Sequence, residues 1–260
     1  MSSSLAVVLT TLLGGRAFAE RFGETPAKVV ALHGWGRSRA DWNATLQGYD
    51  ALALDLPGFG ATPAPDSGWS TSEYAEWVGE CLDEVISSGG GRPVLVGHSF
   101  GGRVAVQLAA TNPELVRGIV LTGVPLLRAQ TAAAKPAFGF RVLRFLNKWH
   151  FISNDLMEKE RRKRGSADYR AAEGEMREVL VKAVNEDYGD ALDALASNGL
   201  PVAMVWGEHD TAAAPAMAEQ ARARIGASAE LVVVPGSAHL LDAGLVAALR
   251  TAIDATAALP

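Results

Sequence analysis

The stretch best suited to chemistry is Gly97-His98-Ser99-Phe100-Gly101-Gly102. An apolar run, Val94-Leu95-Val96, precedes it, and an apolar-periodic run, Val104 to Ala110, follows. That order predicts a strand, a sharp turn with Ser99 at its apex, and a helix. So tight a turn puts the serine backbone at φ near or above zero, and strand and helix then pack only if the neighbouring residues carry almost no side chain. Gly97 and Gly101 leave that room, and Gly102 lets the helix start close against the sheet. The hydroxyl is then held out at the C-terminal end of the strand, beside a helix N-terminus whose free N–H groups favour negative charge. There it is a candidate nucleophile. A pentapeptide this short also occurs as a plain strand-to-helix loop, so groups elsewhere in the chain must decide.

A serine hydroxyl is a poor nucleophile until a base takes its proton, and the base needs an acid to orient it. The predicted strand Val202–Trp206 ends in Gly207-Glu208-His209-Asp210, and the next, Glu230–Val234, ends in Pro235-Gly236-Ser237-Ala238-His239. Both stand just beyond strand C-termini, on the edge that carries Ser99. An early strand, Lys28–Leu32, ends there too, in His33-Gly34-Trp35-Gly36. Each residue has a plainer reading. Asp210 can cap the helix after Thr211, Glu208 is a rival acid, and Asp242 suits the cap of the last helix. Trp35 can be an ordinary core tryptophan.

The G-x-S-x-G pentapeptide, followed in chain order by a strand-end acid and a strand-end histidine, resembles the α/β-hydrolase family. The spacing, 111 residues from Ser99 to Asp210 and 29 more to His239, is similar to the family's. The resemblance implies Ser99 as nucleophile, His239 as general base and acid, and Asp210 as the orienting carboxylate. It also implies an oxyanion hole from the backbone N–H groups of Phe100 and Trp35. Trp35, His33 and Phe100 are then expected at the substrate pocket, with His33 bracing the oxyanion loop and His98 packing at the elbow. His150 and His209 receive no role. The turn Asp55-Leu56-Pro57-Gly58-Phe59-Gly60, also common in the family, reads as structural.

Strands alternate with helices over most of the chain, which predicts a mainly parallel sheet covered on both faces. Leu5–Thr11 and Arg16–Phe22 read as an opening hairpin around Gly14-Gly15, and Ala51–Leu54 and Arg117–Thr122 as further strands. Helices are expected around Arg39–Leu46, from a Thr71 or Ser72 cap to about Ile86, over Pro215–Ile225 and over Leu241–Ala257. Between about Pro125 and Asn198 the alternation lapses into helix-like pieces such as Ala137–Lys148 and Glu173–Asn185. The expected fold is therefore α/β, of the α/β-hydrolase type. Residues 1–124 and 199–260 form its core domain, and 125–198 an inserted helical cap over the strand ends, where ligands bind in such sheets.

At 260 residues, nearly half of them apolar, the chain can bury one large core. A net charge of −5 gives no reason to expect nucleic acid or an anionic membrane as partner. The one cysteine, Cys81, lies in the apolar stripe Tyr74, Trp77, Val78, Cys81, Leu82 and Val85, and is expected as a buried thiol. Leu5 to Leu13 is a short apolar run and Ala17-Phe18-Ala19 resembles a cleavage site, but Met1 to Ser4 carry no positive side chain. Gly14-Gly15 and Arg16 suit a hairpin turn better than a secretory leader, so a cytoplasmic protein is expected. Metal-ligand pairs and a dinucleotide-binding glycine motif are missing, and no cofactor is expected.

A serine at the elbow argues against the dehalogenases and epoxide hydrolases of the family, which use aspartate there. Carboxylesterase is the expected activity by analogy, on a small-molecule ester and from a monomer or homodimer. Thioesterase, lactonase, carbon–carbon bond hydrolase and perhydrolase share the triad and stay open, as does an idle ligand-binding protein on the same fold. From Arg128 to Gly165, ten Lys/Arg stand against three acids. This is either a solvated face or a basic rim that attracts anionic substrates, with Arg141, Arg144 and Lys148 on one helical face.

Overall fold

The computed structural model describes residues 8–127 and 167–259. Eight strands form one sheet: β1 (Val8–Leu12), β2 (Ala17–Phe22), β3 (Val29–Leu32), β4 (Ala51–Leu54), β5 (Val94–His98), β6 (Gly118–Thr122), β7 (Val202–Gly207) and β8 (Ala229–Val234). Their order is β1-β2-β4-β3-β5-β6-β7-β8. The β1–β2 and β2–β4 pairs are antiparallel, and every pair from β4 to β8 is parallel. The opening hairpin turns through a 3₁₀ helix, Leu13–Gly15, where Gly14 and Gly15 take positive φ.

The central strands are short and apolar on both faces, as strands covered on both sides must be. Alternate residues serve two cores. Val30, Leu32, Leu52, Leu54, Leu95 and Leu121 face one, while Val29, Ala31, Ala53, Val94, Val96 and Val120 face the other. The first core is closed by helices α2 (Thr71–Val85), α3 (Phe100–Thr111), α6 (Gly189–Asn198) and α7 (Pro215–Ile225). The second is closed by the 3₁₀ turn Arg39–Trp42, the single turn α1 (Asn43–Leu46) and α8 (Ala243–Ala257), through Trp42, Leu46, Leu245, Leu249 and Ile253. Cys81 is buried in the first core, and burial pushes its thiol well above the ordinary value.

Within 125–198 the described helices are α4 (Ala167–Ala171), α5 (Gly174–Asn185) and α6. Helix α6 packs on α3 and α7 in the layer flanking the sheet. Helix α5 lies across the start of α2: Lys182 Nζ donates to Gly68 O, and the Glu186 carboxylate accepts from the Thr71 backbone N–H at 3.0 Å and from its hydroxyl. The expected helix Ala137–Lys148 and the basic residues from Arg128 to Arg164, including Arg141 and Arg144, lie outside the described residues. Among the described residues no helix is long and apolar enough to cross a membrane.

The start of α2 differs from expectation by one residue. Ser70, not Thr71 or Ser72, is the cap: its hydroxyl accepts from the Glu73 N–H, and the Glu73 carboxylate accepts from the Ser70 N–H at 2.6 Å. A hydroxyl followed three residues later by glutamate satisfies two orphan donors at once, which neither neighbouring hydroxyl can do. Ser70→Ala is expected to lower stability by about 1 kcal/mol, while exposed Ser72→Ala stays within about 0.5 kcal/mol of the parent. Urea midpoints of the two variants check this.

Candidate active site

Ser99 stands between β5 and α3 with φ 50 and ψ −109, a backbone that L-residues rarely adopt. Its neighbours make it possible. A Cβ on Gly97 would lie 2.5 Å from Gly102 Cα, and one on Gly101 would lie 2.5 Å from Leu32 O. Only glycine fits at either position. The Ser99 N–H donates to Thr122 O at 3.0 Å and the Gly101 N–H to His33 O at 3.1 Å, so the turn is tied to the ends of both flanking strands, β6 and β3. The Ser99 hydroxyl makes no capping bond to α3. It is half-buried at the sheet's C-terminal edge.

Asp210 and His239 meet at the same edge. His239 Nδ1 donates to Asp210 Oδ2 at 2.8 Å. The other carboxylate oxygen accepts from the Ala212 and Ala213 N–H groups at 2.9 and 2.8 Å, so Asp210 braces its own loop as well. Burial alone would raise this carboxyl, but the His239 bond and the two amides outweigh it and hold the group below its ordinary value. With Nδ1–H committed to a carboxylate, His239 Nε2 keeps its lone pair. Gly123, the residue after the one that binds the Ser99 amide, runs directly beneath the pair: a Cβ there would meet His239 Nδ1 at 3.0 Å and Asp210 Oδ2 at 3.2 Å.

Glu208, the rival acid, is turned elsewhere. Its carboxylate accepts from the Gly236 N–H at 3.0 Å and lies 3.8 Å from His209 Nε2, both at the surface. Asp242 caps α8 by accepting from the Leu245 N–H, and it also accepts from the Ser237 hydroxyl at 2.9 Å. With His209 N–H donating to Ser237 O at 2.8 Å, these bonds lace the loops after β7 and β8 together around His239.

Among the described residues His33 and His98 are buried. His33 Nδ1 donates to Gly34 O at 2.7 Å, while its Nε2 accepts from the Leu56 N–H at 3.0 Å. Both nitrogens are used and the side chain is fully buried, so His33 stands behind the loop as a brace. This corrects its expected place at the substrate pocket. His98 Nε2 faces His239 O at 3.0 Å and must therefore carry the proton, leaving Nδ1 buried and unpaired. The two rings sit 4.9 Å apart. Burial, and then the neighbouring His239, lowers the His98 pKa to about 4.

Trp35 and Phe100, the residues expected to offer oxyanion donors, touch through their side chains, with ring centroids 5.3 Å apart and planes at 90°. Phe59 lies against both, and Tyr74 lies 5.1 Å from Phe100. Trp69 continues the cluster from Tyr74 at 5.5 Å, and the Tyr74 hydroxyl donates to Pro57 O at 2.8 Å. Trp35 is half-buried while Phe100 is almost wholly enclosed. Sequence reading gave Phe59, Tyr74 and Trp69 no place at the site, because these contacts join segments far apart in the chain. One turn after Ser99, Arg103 donates to Ala183 O at 2.7 Å and to Pro125 O at 3.1 Å, and so ties β6's exit to α5. Among the described residues no group of three His, Cys, Asp or Glu side chains could hold a metal ion.

A model of the alpha/beta hydrolase family matches residues 29–249, well over half of the sequence, and the chain belongs to that family. The pimeloyl-[acyl-carrier protein] methyl ester esterase of Aeromonas salmonicida is 36% identical over 124 residues, covering 46% of this chain and 42% of that protein. An esterase of Mycobacterium tuberculosis is 35% identical over 113 residues, 42% of this chain and 37% of its own. The matched stretch thus spans less than half the length of these curated relatives. Among solved structures, the thioesterase domain of the curacin biosynthetic pathway superposes with a TM-score of 0.67 at 18% identity, covering 96% of this chain and 99% of that one. The haloalkane dehalogenase DbeA of Bradyrhizobium elkani gives 0.66 at 20% identity, covering 97% and 98%. At such identities these two speak for the fold alone.

The low pKa of His98 has a consequence for stability. Unfolded, this histidine takes a proton near its ordinary value of 6.5; folded, it resists until about 4. The stability it contributes is therefore complete above the unfolded value and is lost as pH falls through that window, by on the order of 3 kcal/mol. Denaturant midpoints measured from about pH 7 to about pH 4 are expected to fall, and His98→Gln to flatten part of the slope.

Proposed function

We propose that this protein is a serine hydrolase that cleaves a small-to-medium ester through an acyl-enzyme, with carboxylesterase as its activity. The observation that carries the reading is the His239–Asp210 bond of 2.8 Å, made at the sheet edge where Ser99 is held at φ 50. Esterases among the relatives support it at the level of reaction type. His239 Nε2, its lone pair free, accepts the Ser99 proton as Oγ attacks the ester carbonyl carbon. The Asp210 carboxylate stabilises the imidazolium that forms. The N–H groups of Trp35 and Phe100 donate to the oxyanion of the tetrahedral intermediate. His239 then gives its proton to the leaving alkoxide as the ester C–O bond breaks, leaving the acyl group on Ser99. Water enters, loses a proton to the same nitrogen and attacks the acyl carbon; collapse releases the acid and restores Ser99. In this reading the exposed flank of Trp35 and the edge of Phe100 line the acyl side of the pocket. In this reading α5, whose Met176 sulfur accepts from the Tyr74 hydroxyl at 3.9 Å, belongs to the cap.

A p-nitrophenyl ester series of increasing acyl length, with thioesters alongside, tests the activity. Ser99→Ala is expected to keep the parent's thermal midpoint and to lose kcat/KM by roughly 10⁴-fold or more. Asp210→Asn is expected to cost far more than Glu208→Gln. A larger loss from Glu208→Gln would refute the assignment of the acid.

A further inference from the structure

Phe59 is a half-buried aromatic in the turn after β4, outside the triad and outside both proposed donor loops. Its surroundings are unusual. The ring lies edge-on to Trp35, with centroids 5.0 Å apart and planes at 81°. It stands edge-on to His33 as well, at 5.3 Å and 82°, and is tilted against Phe100 at 6.1 Å. It therefore touches the residue carrying each proposed oxyanion donor and the histidine that braces one of their loops. The turn itself is tied down: the Phe59 N–H donates to Leu56 O at 2.9 Å, its carbonyl accepts from Thr62 N–H at 3.1 Å, and the Leu56 N–H is bound by His33. The ring thus packs against both the β3 loop and the start of α3, beside the Gly101 N–H to His33 O bond that joins them.

We infer that Phe59 is a positioning residue for the oxyanion hole, holding the Trp35 and Phe100 amides at the separation that a tetrahedral intermediate needs. The inference rests on the serine-hydrolase reading above. Edge-to-face geometry matters, because it fixes ring orientation in a way that a flexible aliphatic side chain cannot. Donors aimed at the oxyanion act on the transition state more than on the bound ester, so loosening them lowers kcat and leaves KM nearly unchanged.

Wild-type protein is assayed first with a p-nitrophenyl ester; absence of turnover refutes the hydrolase reading itself. Given turnover, Phe59→Leu is expected to lower kcat about tenfold or more with KM within about twofold. Affinity for a trifluoromethyl ketone, whose hemiketal oxygen occupies the oxyanion position, should weaken in proportion to kcat/KM. The corresponding methyl ketone, which stays trigonal, should bind as before, and Phe59→Tyr should restore kcat. Should Phe59→Leu lose its folded circular-dichroism signal, Phe59→Met is read in its place, with the same expectations. Unchanged kcat, or a rise confined to KM, would make Phe59 a pocket wall and overturn the inference while leaving the hydrolase reading intact.

Discussion

A serine held at φ 50 is the constraint around which the remaining geometry is arranged. Such a backbone costs on the order of 1–3 kcal/mol and persists only where its surroundings over-determine it. Here they do so through two backbone bonds, Ser99 N–H to Thr122 O and Gly101 N–H to His33 O, each reaching a strand that flanks β5. The same bonds fix what comes next along those strands. Beyond His33 the chain runs into Gly34 and Trp35; beyond Thr122 it runs into Gly123, which lies beneath His239 and Asp210. One strained turn is therefore tied to the starts of the loops after β3 and β6.

Three described histidines, His33, His98 and His239, show how surroundings decide what an imidazole does. His33 gives one nitrogen to a carbonyl and the other to an amide proton, which leaves nothing for chemistry. His98 gives Nε2–H to the His239 carbonyl and so links the elbow to the loop after β8. His239 alone of the three gives its Nδ1 to a carboxylate and sits partly open to solvent. The lacing of Ser237 to Asp242 and of His209 to Ser237 keeps that loop from drifting.

Much of the sheet was legible in the sequence. Runs such as Val29–Leu32, Ala51–Leu54 and Val94–Val96 are too short for helices, rich in small and β-branched residues, and bounded by polar residues, Gly or Pro. Ser99, Asp210 and His239 were legible because each follows such a run, and strand ends in a parallel sheet share one edge. The α2 cap was misplaced among three successive hydroxyls, although Glu73 three residues after Ser70 marked the right one. The bond from the Leu56 N–H to His33 and the aromatic contacts of Phe59 were not legible in the same way. They depend on where the turns after β3 and β4 meet in space, and no periodicity encodes that. Helix α6 buries Leu192 and Leu195 in its packing on α3, a partner that the sequence pattern alone does not name.

The account stands or falls on an activated Ser99. A fluorophosphonate reagent reacts only with a serine whose proton is removed as it attacks, so the modified residue reports activation as well as identity. Treatment of the purified protein, followed by peptide mass mapping, is predicted to place a single phosphonyl group on Ser99. The reaction should be much slower in His239→Ala. A protein left unmodified, or labelled on a residue other than Ser99, would contradict the account.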